Sequence, residues 1–269
     1  MSDVRLVQTS SGPILPWRPI VTFFAATLFH SLWLIALQLW LGVSLDYIAF
    51  PQLSPTLGLA TTWLLYRSWL TPFLPVAPTG VGEFGRRSRI VIVVCLGYVL
   101  ATWALAELLQ VGSYRAMFTD WYLVGFLTVQ FLGALVEEVG WRGFLQPLFV
   151  KRFGAIWGAS LVGIIWAAWH GDQLLDPAGF VIFALTCVAL SLVLEMMVAG
   201  SWWQRGLLAA GLHWTVNIAP VVVINVDDDA TSNVAVAAVL LIPQCVFGVI
   251  ALVILVKRYG WPRLGKLKR

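Results

Sequence analysis

Eight times along this chain an apolar run continues long enough to carry a helix through most or all of a hydrocarbon core about 30 Å thick. The runs cover residues 20–43, 53–76, 90–110, 119–149, 155–171, 177–199, 205–225 and 232–256. In hydrocarbon the backbone must satisfy its own N–H and C=O groups, so such runs fold as helices unless strands close into a barrel. The alternating pattern of barrel strands does not occur here. With 60% of residues apolar and 11% charged, the polar stretches are too short to build a water-soluble core beside the membrane part. The expected fold class is all-α, a polytopic membrane helix bundle of about eight transmembrane helices, with residues 1–269 as a single transmembrane domain. The first run is too long for a signal-peptide core and lacks a small-x-small cleavage site, so it is expected to be retained.

The formal charge of +4 follows the membrane rather than an anionic polymer. If the N-terminus is inside, cytoplasmic segments hold Arg5, Arg18, Arg86, Arg87, Arg89, Lys151, Arg152, Arg205 and the basic tail from Lys257 to Arg269, whereas the opposite side has Arg115. That side carries Asp46, Asp172, Asp176 and Asp227 to Asp229, although acids weigh little in this rule. Both termini are expected in the cytoplasm, with the tail against anionic lipid headgroups and no nucleic acid as partner. A compact chain without targeting signals points to a bacterial plasma membrane. Cys95, Cys187 and Cys245 lie singly in apolar runs and are assigned to packing.

Charged side chains within a bilayer cost roughly 2.5–3.5 kcal/mol each on insertion scales, so each needs a reason. Glu107, Glu195 and Arg67 lie toward span ends, where snorkelling suffices. The stretch ALVEEVGWRGFLQ, residues 134–146, is different. Glu137 and Glu138 point about 100° apart on a helix and must divide their tasks. Glu138 precedes Arg142 by four residues, the favourable order for a helical ion pair. Glu137 is then without a partner in its own helix and is available as a general base.

Two further segments supply polar groups. His170 ends the fifth run, with Trp166 one turn before it on the same face, and His213 and Asn217 share one face of the seventh run. By rise per residue, Glu137, His170 and His213 lie roughly 12–27 Å from the cytoplasmic loop anchors, so all three can meet. A carboxylate and a histidine can hold and deprotonate a water, while a second histidine and an amide can stabilise the oxyanion of amide hydrolysis. The alternative use of the same atoms is a zinc site with Glu137, His170 and His213 as ligands. Spacing does not decide between these. Trp141, Trp166, Trp169 and Trp214 flank these residues and are expected to pack there or to wall a cavity. His30 is expected to pack in the first span, and the aspartates 227–229 to form a solvated turn.

Over about residues 118–225 the chain resembles the CPBP, or ABI, family of intramembrane proteases, which includes type 2 CAAX prenyl proteases and bacteriocin-processing or immunity proteins. Its E-E-x-x-x-R motif is matched by Glu137, Glu138 and Arg142, and its F-x-x-x-H motif by His170, with Trp166 in place of phenylalanine. Its histidine followed four residues later by asparagine is matched by His213 and Asn217. The resemblance implies that Glu137 and His170 activate water, that His213 and Asn217 stabilise the oxyanion, and that Glu138 and Arg142 support the site. It implies as partner a membrane-associated protein or peptide, lipidated in some members. The rival reading is a non-catalytic immunity factor or a proton-coupled transporter that uses the same polar cluster.

Overall fold

A computed structural model describes residues 15–44, 48–71, 73–111, 121–224 and 234–261. Asp46, Arg115, the aspartates 227–229, Arg5 and the basic residues after Trp261 lie outside the described residues. Among the described residues every regular element is helical. These are α1 (Trp17–Trp40), α2 (Ser54–Leu70), α3 (Val81–Leu108), α4 (Trp121–Gly140), α5 (Gln146–Phe153), α6 (Ala155–Trp169), α7 (Pro177–Met197), α8 (Trp202–Val223) and α9 (Val234–Tyr259). A π-helical turn, Trp141–Leu145, joins α4 to α5, and short 3-10 turns occupy Phe50–Leu53 and Gly171–Leu175. Each of the eight apolar runs therefore contains a helical rod, α4 and α5 forming one rod through the π turn.

Six of these rods are long and apolar enough to cross a membrane: α1, α3, the α4–α5 rod, α7, α8 and α9. The other two are shorter than the sequence runs suggest. α2 has 17 residues and α6 has 15, about 26 and 22 Å at the rise of an α-helix. In α6 the shortening is local. The chain leaves the helix after Trp169, and His170 adopts a non-helical conformation before the 3-10 turn. This break keeps His170 next to the bundle interior rather than carrying it onward along a helix.

The π turn has a cause in the sequence. Gln146 donates its backbone N–H to the Trp141 carbonyl, five residues back. In that register the partner of the Arg142 carbonyl would be the N–H of residue 147, which is a proline and has none. The carbonyl is instead filled from outside: Arg205 Nε donates to it at 3.0 Å. A widened turn thus sits on the segment carrying the polar pair, and α8 is pinned to it.

Rods approach closely where one of them carries glycine. A β-carbon at Gly163 in α6 would lie 2.7 Å from the Val188 Cα in α7, one at Gly206 in α8 would lie 2.8 Å from a Val139 methyl in α4, and one at Gly140 would lie 2.6 Å from the Pro55 backbone in α2. Between apolar rods in lipid, such fit replaces a hydrophobic driving force. The resulting core is formed mainly by α4 to α8, while α1 and α3 present many large apolar side chains outward. Gly163→Ala is expected to lower stability by about 1–3 kcal/mol through overpacking. Gly85→Ala in α3, with open space around it, is expected to be neutral or stabilising by up to about 1 kcal/mol. Thermal unfolding of the two variants in detergent checks the contrast.

Candidate active site

Glu138 and Arg142 are both fully buried, and Arg142 Nη1 donates to Glu138 Oε1 at 2.8 Å. Two other helices add partners to this pair. From α7, Ser191 Oγ accepts from Arg142 Nη2 at 2.9 Å. From α8, His213 Nδ1 lies 2.8 Å from the same Oε1 of Glu138, close enough for an ion pair although without the alignment of a hydrogen bond. The Arg142 guanidinium also stacks over the Trp166 ring of α6, with Cζ 4.4 Å from the centroid. One carboxylate and one guanidinium thereby tie α4 and the π turn to α6, α7 and α8.

Glu137, 1% exposed, faces another way, as its position one residue earlier requires. Its Oε1 accepts a hydrogen bond from the Trp166 indole N–H. His170 stands beyond Trp166, and its Nδ1 lies 2.9 Å from the Trp166 carbonyl oxygen. A carbonyl can only accept, so Nδ1 carries the proton and the neutral ring keeps its lone pair on Nε2. His213 Nδ1 faces a carboxylate and is the protonated nitrogen by the same reasoning. For His213 also to donate from Nε2, its ring must hold both protons, a state for which Glu138 is the counter-charge.

Glu137, His170, His213 and Asn217 all line one cavity of about 680 Å³. Its wall is largely apolar and includes Trp166 and Trp169, so two of the four flanking tryptophans face the cavity. The other two pack elsewhere. Trp141 is fully buried against Phe23 and Trp169, and Trp214 donates from its indole to the Leu127 carbonyl of α4 at 3.0 Å.

Residues 119–219 match the family model described as Type II CAAX prenyl endopeptidase Rce1-like. Over that stretch the chain is similar to the Rce1-like endopeptidases, in agreement with the resemblance read from its motifs. No curated protein matches the chain. The Rce1-like stretch contains α4, α5, α6 and α7 with most of α8, and so includes every motif residue. It does not contain the whole wall of the cavity. Ser31 of α1, Gln52 of the first 3-10 turn and Gln244 of α9 also line it. Among these, Ser31 accepts the Trp169 indole N–H at 3.0 Å, which fixes the edge of α6 against α1.

The zinc alternative would use Glu137, His170 and His213 around one ion. Among the described residues no group of three His, Cys, Asp or Glu side chains is gathered closely enough to hold one metal ion. Glu137 Oε1 accepts from an indole, while His170 Nδ1 faces a carbonyl and His213 Nδ1 faces Glu138, contacts that leave Nε2 of both rings unengaged.

Two polar residues need a correction. Glu195 was expected to snorkel and Arg205 to anchor a loop, but they pair with each other at 3.3 Å, and Gln146 Nε2 donates to the same Glu195 oxygen at 2.8 Å. The reason is the π turn, whose free carbonyl draws the Arg205 guanidinium inward beside Glu195. Glu107 and Arg67 are exposed. His30 bonds Thr61 of α2 at 3.1 Å and accepts from Trp33 at 2.8 Å, away from the cavity. Of the cysteines, Cys187 is buried and lines the cavity, Cys95 is half-buried, and Cys245 is exposed on the outside of α9, so packing does not account for the last.

Sequence reasoning missed Ser191 and the donor role of Trp166. Nothing in the sequence distinguishes Ser191 from other serines in spans, whereas an indole one turn before a motif histidine is a visible signal. Arg142→Ala leaves Glu138 buried without its main cation and is expected to destabilise the protein by about 3–5 kcal/mol. Arg142→Lys, which keeps charge but loses the planar stacking and fork, should fall between that and wild type. Denaturant unfolding in mixed micelles measures both.

Proposed function

We propose that this integral membrane protein is an intramembrane endopeptidase that hydrolyses a peptide bond of a membrane-associated protein or peptide. The observation that carries the reading is the shared cavity, into which Glu137, His170, His213 and Asn217 all face from three different helical segments. The Rce1-like match over the same segment supports the reaction class.

In this reading a water lies between Glu137 and Nε2 of His170. The two groups take its proton as its oxygen attacks the scissile carbonyl carbon. Negative charge then develops on the carbonyl oxygen, where the His213 Nε2 proton and the Asn217 amide donate to it. Collapse of the tetrahedral intermediate breaks the C–N bond. The proton taken from water passes to the leaving nitrogen, and the second water proton leaves the new carboxylic acid for the freed amine, so the products are a carboxylate and an ammonium with no group left on the enzyme. Each step uses only this chain's side chains and water.

The apolar wall suits a substrate segment that carries aliphatic or lipid chains, and a lipidated peptide is the substrate class we favour. The charge distribution read from the sequence supports an orientation with both termini in the cytoplasm, and a bacterial plasma membrane is the location we favour.

Expected outcomes are graded. Glu137→Ala and His170→Ala should each abolish measurable cleavage of a membrane-tethered reporter peptide, with folding preserved. Asn217→Ala should reduce turnover on the order of 100- to 1000-fold, the usual loss for one oxyanion donor. Purified protein in lipid nanodiscs, with product termini assigned by mass spectrometry, provides the measurement. Undiminished cleavage by a folded Glu137→Ala protein would remove the reading.

A further inference from the structure

Trp166 touches Glu137, Arg142, His170 and His213. Its indole N–H donates to Glu137 Oε1, its ring carries the Arg142 guanidinium at 4.4 Å, and its backbone carbonyl holds His170 Nδ1 at 2.9 Å. The same ring meets the His213 imidazole edge to face, with centroids 5.0 Å apart, and lies 5.7 Å from that of His170. It is 4% exposed and lines the cavity. Among the described residues it is the side chain that donates a hydrogen bond to Glu137.

These contacts have different chemical consequences. Stacking on Arg142 and edge contacts with the imidazoles need only an aromatic face. The bond to Glu137 needs an N–H in one place. A carboxylate in a largely apolar cavity, with its neighbour Glu138 committed to Arg142, has few groups to orient it. An indole whose ring is clamped by a guanidinium on one face is a rigid donor, and it presents Glu137 in one rotamer toward the space beside His170. The backbone link adds a second constraint, since the carbonyl that sets the His170 tautomer belongs to the residue that orients the carboxylate.

We infer that Trp166 is a positioning residue for catalysis: its indole N–H holds the Glu137 carboxylate in the orientation that lets it and His170 share one water. This rests on the peptidase reading above. It concerns the rate of the chemical step and not the binding of substrate, because the N–H is spent on Glu137.

The test compares two variants with Glu137→Ala as reference, all in nanodiscs with the same reporter peptide. Trp166→Phe keeps an aromatic ring and loses the N–H. Replacement of Trp166 by benzothienylalanine keeps the bicyclic shape and the stacking on Arg142 and exchanges only the N–H for sulfur. Both are expected to lower kcat by about 10- to 100-fold, the loss expected for a hydrogen bond to a charged group. KM should stay within about twofold. If Trp166→Phe unfolds, the benzothienylalanine protein decides. Wild-type kcat in that protein, beside an inactive Glu137→Ala, overturns the positioning role alone, as does a raised KM with unchanged kcat. Active Glu137→Ala overturns the peptidase reading and the positioning role together.

Discussion

A buried ion pair, Glu138 with Arg142, is the constraint on which the rest of this molecule depends. Neither charge reaches solvent, and charges in that position are tolerable only when they meet each other and further partners from several directions. Those partners are Ser191 on α7, His213 on α8 and the Trp166 ring on α6. Meeting the electrostatic demand of one turn of helix therefore fixes three other helices around it. Trp166 and His213 of that assembly also line the cavity, so side chains facing it take their positions in part from the pair behind them.

The π turn extends the same logic toward the other end of the bundle. Because residue 147 is proline, widening the helix at Trp141–Leu145 leaves the Arg142 carbonyl open, and Arg205 fills it while pairing with Glu195. Two polar layers result, one around Glu138 and one around Glu195, linked through the backbone and side chain of Arg142. α8 is held in both, by His213 in the first and Arg205 in the second. Slippage of α8 along its axis would break both layers at once, so the register that points His213 and Asn217 into the cavity is set twice.

Much of this was legible from residue order. The apolar runs marked all eight rods, since hydrocarbon leaves a backbone few alternatives, and the four-residue spacing from Glu138 to Arg142 announced their bond. That Glu137 had no partner in its own helix also followed from angular spacing. Length was less legible: α2 and α6 stop short of their apolar runs, because apolarity says where a chain tolerates lipid and not where its helix ends. The inward turn of Arg205 depended on a carbonyl freed five residues upstream of a proline in another helix, a link with no signature in local sequence. Ser31, Gln52 and Gln244 reach the cavity only through tertiary packing, and Ser191 is one serine among several until Arg142 is seen beside it.

The central claim is that Glu137, His170, His213 and Asn217 surround a single reacting carbon. Its most direct measurement is an experimental structure of the protein in lipid with a peptidyl aldehyde bound, whose hydrate mimics the tetrahedral intermediate. The account predicts one hydrate oxygen against Glu137 and Nε2 of His170 and the other against His213 and Asn217. An inhibitor seated elsewhere, or a hydrate touching neither pair, would contradict it.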